Sequence, residues 1–356
     1  MNHTIRRILP ALLAVAVGIL CLATAGAPHE GPPSVEKQRG VNWVGGREPV
    51  SEAHLRPLVE YHVGWIAQTP FGWQQSFDST EIQLITEGRI LWGETDEGLI
   101  TTTRLAHKLG IKTLLKPHIW LRDRSGGKWR TDIRMASEEA WQQWFSSYRR
   151  FILHYAQLAE ANGIEALAIG TELHTTVVER EKDWRQLIAE IRKVYKGQLT
   201  YSANWWKEFE EVPFWDALDC IGVQGYFPLT DQEKPTLEQL KEGWKPHTEA
   251  LEAVSRRFGK SVIFTEIGYK STGDAAIRPW EWPEIHDLKD LPPVNLEFQA
   301  RCYEAFFQTF WDRPWVAGAY FWKWYPTVGE SKKADNIDFT PQGKPAGEVL
   351  KGWYSR

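Results

Sequence analysis

Eight short apolar runs, each followed by a stretch with the spacing of a helix, constrain this chain more than any other feature. The runs are Gly40 to Val44, Val63 to Gln68, Ile111 to His118, Ala166 to Gly170, Leu199 to Ala203, Ile221 to Gln224, Val262 to Thr265 and Val316 to Phe321. Ala166 to Gly170 is uninterrupted by polar residues, as a strand covered on both faces requires. Helical patterns follow at Glu52 to Tyr61, Glu97 to Leu109, Glu138 to Ala161, Trp184 to Tyr195, Phe209 to Trp215, Thr236 to Gly259, Leu296 to Trp311 and Ala346 to Tyr354. Alternation of this kind predicts a parallel sheet. Eight units in a chain of this length predict an α/β fold closed into a single-domain (β/α)8 TIM barrel over residues 40–356.

The longest helix is the clearest. Trp141, Trp144, Phe145, Tyr148, Ile152, Tyr155 and Leu158 recur at steps of three and four, so they share one face. Ser137 suits the N-cap, Glu138 and Glu139 the positive end of the dipole, and Asn162-Gly163 the left-handed stop. Thr236 and Gln239 have capping-box spacing, while Pro246 is expected to kink or split the helix they begin. An open nucleotide-binding sheet would need a glycine-rich phosphate loop after an early strand; Val44-Gly45-Gly46-Arg47 lacks that spacing.

Ahead of the first strand, Arg6 and Arg7 precede an uncharged apolar run from Ile8 to Ala23, too short for a membrane span. With small residues at Ala23 and Ala25, residues 1–25 read as a signal peptide and 26–39 as a flexible lead-in. The mature chain is then secreted or periplasmic, with no membrane partner after signal cleavage; an uncleaved membrane anchor is the lesser alternative. A formal charge of −4 provides no basic excess for nucleic acid, so a neutral partner is expected. Cysteine is scarce once Cys21 leaves with the signal, and Cys220 and Cys302 read as small core residues rather than a disulfide framework. Tryptophan, with 20 residues, outnumbers both phenylalanine and tyrosine. Flat rings with one polar edge suit sugar faces.

Barrel chemistry sits at the carboxyl ends of the strands. Reading those ends yields Asn42 and Trp43, Gln68, His118, Glu172, Asn204, Gln224 with Tyr226, Glu266 and Trp322. Glu172 and Glu266 follow similar contexts, Ile169-Gly170-Thr171 and Ile263-Phe264-Thr265. Two carboxyls across one barrel mouth can divide acetal hydrolysis, one protonating the departing oxygen and one stabilising or capturing the anomeric carbon. His118, Glu172, His174 and Glu266 are also candidate metal ligands, but no H-x-H or H-E-x-x-H spacing is present, so neither metal nor cofactor is expected. Trp73, Trp120, Trp205 and Trp206 lie in loops after strand ends, and two of the four are expected to stack on sugars. His118 is expected to bond a sugar hydroxyl or tune Glu172. Lys116 and Arg122 are weighed only as structural partners for carboxylates.

The motifs Lys116-Pro117-His118, Ile169-Gly170-Thr171-Glu172-Leu173, Ile221 to Pro228, Phe264-Thr265-Glu266-Ile267-Gly268-Tyr269 and Phe339 to Ala346 resemble glycoside hydrolase family 113, within clan A. The resemblance runs in order from about Gly40 to Tyr354. It implies a retaining β-glycoside hydrolase of the β-mannanase kind, with Glu172 as acid/base and Glu266 as nucleophile. It further implies Tyr226 near the nucleophile and Trp322 as a floor for the sugar. Thr171 stands where many clan members carry the Asn that bonds the sugar 2-hydroxyl, and Asn204 is the candidate substitute. The expected partner is a neutral β-linked polysaccharide or oligosaccharide, with β-1,4-mannan first. A β-glucanase, a xylanase, a metal-dependent hydrolase and a barrel that only binds glycans are the alternatives.

Overall fold

The computed structural model describes residues 36–282, 292–327 and 336–356, so the expected signal peptide and most of the lead-in lie outside the described residues. The strands are β1 (Gln38–Trp43), β2 (Trp65–Gln68), β3 (Phe71–Gln74), β4 (Ile82–Leu84), β5 (Lys112–Leu115), β6 (His118–Leu121), β7 (Ala166–Thr171), β8 (Gln198–Ala203), β9 (Ile221–Gln224), β10 (Val262–Ile267) and β11 (Val316–Trp324). The helices are α1 (Glu52–Glu60), α2 (Asp96–Lys108), α3 (Glu138–Ala161), α4 (His174–Glu179), α5 (Glu181–Val194), α6 (Glu208–Glu211), α7 (Leu237–Phe258), α8 (Leu296–Phe310) and α9 (Pro345–Tyr354).

β1, β2, β5, β7, β8, β9, β10 and β11 close into a barrel in that order, with β11 pairing back onto β1. These are the eight runs singled out in the sequence. The residues that alternate inward, among them Trp65, Ala67, Leu114, Ala166, Ala168, Ile263 and Tyr320, fill the interior as a packed plug. Gln38 donates to Gln198 at 3.1 Å and accepts from Tyr320 Oη at 2.7 Å, which satisfies the polar groups inside. Gly40 faces the Tyr320 ring, and a Cβ there would lie 2.4 Å from it. Residues of opposite parity, such as Leu167, Ile169 and Phe264, pack outward under the helices.

Capping follows the sequence signals. Ser137 accepts from the Ala140 amide, Thr236 from that of Gln239, and Gly259 closes α7 at φ 62°. Pro246 lies inside α7, which runs unbroken from Leu237 to Phe258, so the proline does not split it. Cys302 is buried in the core and Cys220 half-buried, and both are free thiols. No helix among the described residues is long and apolar enough to cross a membrane.

A second, three-stranded sheet stands outside the barrel, with strand order β4-β3-β6. The sequence reading does not contain it. Ile111 to His118 reads as one strand, but barrel pairing stops at Leu115, and after Lys116-Pro117 the chain enters β6 beside β3. Proline cannot donate to a ladder, which ends the strand there. Phe71 pairs with His118 and Trp73 with Trp120, so these four share one face of the side sheet. Gly72 and Gln74 face the other way, against Phe151 and Trp144 of α3.

Candidate active site

Both glutamates reach the mouth at irregularities of their strands. In β7 the register slips between Ala168 and Thr171, and Glu172 just after it sits at φ 53°, a left-handed conformation rare for a residue with a side chain. Its amide donates to Ser202 O at 2.9 Å, which holds this turn. In β10 the register slips between Phe264 and Glu266, so a residue that strict alternation would send outward with Phe264 is aimed at the mouth instead. Such outliers cost of order 1 kcal/mol or more and cluster at functional sites.

The surroundings of the two carboxyls differ. Glu172, with 12% of its side chain exposed, accepts at 3.3 Å from both Trp129 Nε1 and Asn204 Nδ2, and Arg130 Nε lies 3.4 Å from Oε2. Burial raises its pKa above the ordinary carboxyl value, and the nearby Glu266 adds to the rise while Arg130 opposes it. Glu266 is 7% exposed and meets a donor on each oxygen: Lys116 Nζ on Oε1 and Tyr226 Oη, at 2.8 Å, on Oε2. Lys116 is fully buried and also reaches Thr265 O at 3.3 Å.

His118 Nε2 lies 3.7 Å from Glu266 Oε1, so the histidine stands by Glu266 rather than serving as a partner of Glu172. Its Nδ1 is 3.0 Å from Arg130 Nη1, which can only donate, so Nδ1 accepts and the ring proton is on Nε2. Burial, reinforced by Arg130 and Lys116, holds the His118 pKa well below its usual value, and the ring is neutral. Arg130 thus touches both halves of the site. Asn204 is held in turn by Glu208, whose carboxylate accepts from the Asn204 amide at 2.7 Å and from Tyr201 Oη at 2.5 Å.

These groups line a cavity of about 570 Å³ at the carboxyl ends of the strands. Glu172, Glu266, His118, Asn204, Trp205, Tyr226 and Trp322 all border it. The peptide bond after Trp322 is cis. Trp120 and Trp206 border the same cavity, whereas Trp73 lies in an adjoining hollow. Asn42 and Trp43 do not line it. Asn42 is buried inside the barrel, donating to Thr265 O at 3.2 Å and Tyr320 O at 3.0 Å, and Trp43 packs in the core under the helices. A strand-end position places a residue near the mouth, but its parity decides whether it faces cavity, plug or helix layer. Thr171 turns its hydroxyl toward Pro117 O, at 3.4 Å.

Several residues of the site escaped the sequence reading or were underrated by it, among them Lys116, Trp129, Arg130 and Trp282. Lys116 follows Leu114 at the inward parity, so a lysine directly continuing an apolar barrel strand carried the signal. Trp129, Arg130 and Trp282 come from loops far from any strand end, where spacing carries no such signal. Arg122 meets Gln83 and the Trp73 ring, not a carboxylate. Among the described residues no group of three metal-ligating side chains converges, so His118, Glu172, His174 and Glu266 do not assemble as a ligand set.

The model described as Glycoside Hydrolase Family 113 matches residues 40–344. Among solved structures, one described as a complex of GH113 β-1,4-mannanase is 29% identical with a TM-score of 0.76, covering 90% of this chain and 99% of that one. The GH113 β-mannanase AaManA from Alicyclobacillus acidocaldarius, in complex with ManMIm, is similar at 29% identity and TM-score 0.76, over 90% of this chain and 98% of its own. A β-glucuronidase from Ruminococcus gnavus, at 13% identity and TM-score 0.59, shares the fold alone over 90% of this chain and 50% of that one. No curated protein matches the sequence.

Proposed function

The chain belongs to glycoside hydrolase family 113, and from that membership we propose that it cleaves β-1,4-mannan or manno-oligosaccharides with retention, Glu172 acting as acid/base and Glu266 as nucleophile. The observation that carries the reading is the contrast between two glutamates on one cavity: burial raises the pKa of Glu172, whose hydrogen bonds come at 3.3 Å from the neutral Trp129 and Asn204, whereas Glu266 is ion-paired at close range with Lys116 and accepts from Tyr226 at 2.8 Å. Similarity to structures titled β-mannanase supports the mannan choice.

In the first step Glu266 attacks the anomeric carbon, the glycosidic C–O bond breaks, and Glu172 transfers its proton to the departing oxygen. A glycosyl ester on Glu266 results. In the second step Glu172, now ionised, takes a proton from water as that water attacks the same carbon, and Glu266 leaves as a carboxylate. Lys116 and Tyr226 keep the nucleophile's oxygens oriented and stabilise it as the leaving group. Arg130 favours the ionised Glu172 that the second step needs. Among the described residues the buried His118 Nε2 has no hydrogen-bond partner, and the ring borders the cavity, which supports a role for His118 toward a sugar hydroxyl. Asn204, at the acid/base, is the candidate for the 2-hydroxyl contact that Thr171 does not offer.

Proton NMR of the first product released from mannan tests the stereochemistry. Retention requires the carboxyls to stand roughly 5–5.5 Å apart and the β-anomer to appear first. An α-anomer appearing first means inversion and leaves Glu266 a general base. The same assay run on β-glucan and xylan decides the sugar.

A further inference from the structure

The side sheet walls a second hollow, of about 560 Å³, that shares Phe71 and Trp120 with the catalytic cavity and so adjoins it. Trp73 lines it, and the loops after β1 and β4 bring Arg47 and Arg89 to its rim. Arg122 stacks over Trp73, 5.0 Å from its ring centre, and Arg124 over Trp120 at 5.1 Å. Some surface arginines elsewhere pair with carboxylates, as in Arg149 with Glu190 and Arg185 with Asp216, while others, such as Arg257, do not among the described residues. Among the described residues none of these four arginines has a carboxylate partner, and Arg47 and Arg89 have no hydrogen-bonded or ring partner either. The unpartnered Arg47 and Arg89 on the hollow, with the ring-stacked Arg122 and Arg124 beside its aromatic wall, concentrate positive charge on a chain whose net charge is −4.

Guanidinium forks match a carboxylate bidentately, and the indole faces suit a pyranose ring. We propose that this hollow is a binding lobe for a carboxylate-bearing sugar unit of the substrate, gripped by Arg47 and Arg89 against Trp73 and Trp120. The proposal rests on the glycoside hydrolase reading and extends it to the substrate: the main chain is neutral, and an acidic unit lies one lobe away from the bond that breaks. Glu94, also in the hollow, does not oppose this at mildly acid pH. Burial pushes its carboxyl up to about 7, so near pH 5.5 it is protonated and can donate to an incoming oxygen.

The test compares two probes at that pH, a β-1,4-manno-oligosaccharide bearing a glucuronic acid unit and the same compound with its carboxyl reduced to the alcohol. Calorimetry on the full chain carrying Glu172→Gln, which binds without turnover, should show the acidic probe bound about 5-fold or more tighter, as expected for two partly exposed ion pairs. That preference should vanish in Arg47→Gln/Arg89→Gln and shrink between about 0.05 and 0.5 M salt. In the otherwise wild-type background, Arg47→Gln/Arg89→Gln should leave kcat/KM on unsubstituted manno-oligosaccharide within about twofold of wild type, by the same modest scale of exposed contacts. Equal affinity for the two probes overturns the proposal, as does a loss on Arg47→Gln/Arg89→Gln that is the same for both. Failure of the wild-type enzyme to cleave unsubstituted mannan would instead overturn the mannanase reading, while the calorimetric comparison still decides the lobe.

Discussion

At the scale of single residues, Arg130 is the group on which the two halves of the site meet. It lies beside Glu172 and donates to His118, whose Nε2 faces Glu266. Because its charge favours the ionised form of Glu172, removing it should raise the pKa of that acid further. An acid works while protonated, so the alkaline limb of the pH–rate profile should move to higher pH in Arg130→Met. An unmoved or lowered limb would exclude Arg130 as a tuner of Glu172. Glu172 itself is tested by leaving groups. On mannan Glu172→Ala should lose about 10²–10⁴-fold in kcat, the usual worth of a positioned acid, whereas an activated aryl glycoside, needing little protonation, should lose far less in the glycosylation step. Equal losses of that step on both substrates would sink the acid/base role.

At the scale of elements, the barrel strands do two jobs whose requirements conflict. Their lower halves keep strict alternation, which fills the interior with Trp65, Ala67, Leu114, Ala166, Ala168, Ile263 and Tyr320. Their upper ends become irregular, through a register slip in β10 that brings Glu266 to the cavity and one in β7 just before Glu172. The first job depends on close approach at Gly40, where an added methyl meets the Tyr320 ring at 2.4 Å with packed strands on either side. Gly40→Ala should therefore cost about 1–3 kcal/mol by overpacking, seen as a melting temperature lower by several degrees. A variant melting with wild type would show that the plug has room to yield. The side sheet serves neither job. It widens the mouth on one side, with Phe71, Trp73, His118 and Trp120 on the face toward the two cavities.

At the scale of the whole molecule, the charge balance is near neutral and no three metal-ligating side chains converge among the described residues. Catalysis by a carboxyl pair needs no ion. Activity on mannan should therefore be unchanged after dialysis against EDTA. A loss restored by added Zn²⁺ or Ca²⁺ would instead favour the alternative of a metal-dependent hydrolase.

What the sequence by itself determined is what periodicity and order along the chain encode. Apolar runs alternating with amphipathic helices specify all eight barrel strands and their parallel closure, because burial on both faces writes itself into composition. The barrel's closure made strand ends the place to look, and that brought Glu172, Glu266, His118, Asn204, Tyr226 and Trp322 together on one cavity. Only the tertiary structure decided which strand-end side chains face it. Asn42 and Trp43 satisfy the same rule of position and turn instead to the plug and the helix layer. A bulge re-aims Glu266 and a left-handed turn holds Glu172, and no spacing foretells them, since an extra residue in a strand looks like any other until its neighbour's ladder is known. The same holds for Trp129, Arg130 and the side sheet: their contacts join segments distant in sequence, and long-range pairing leaves no local period to read.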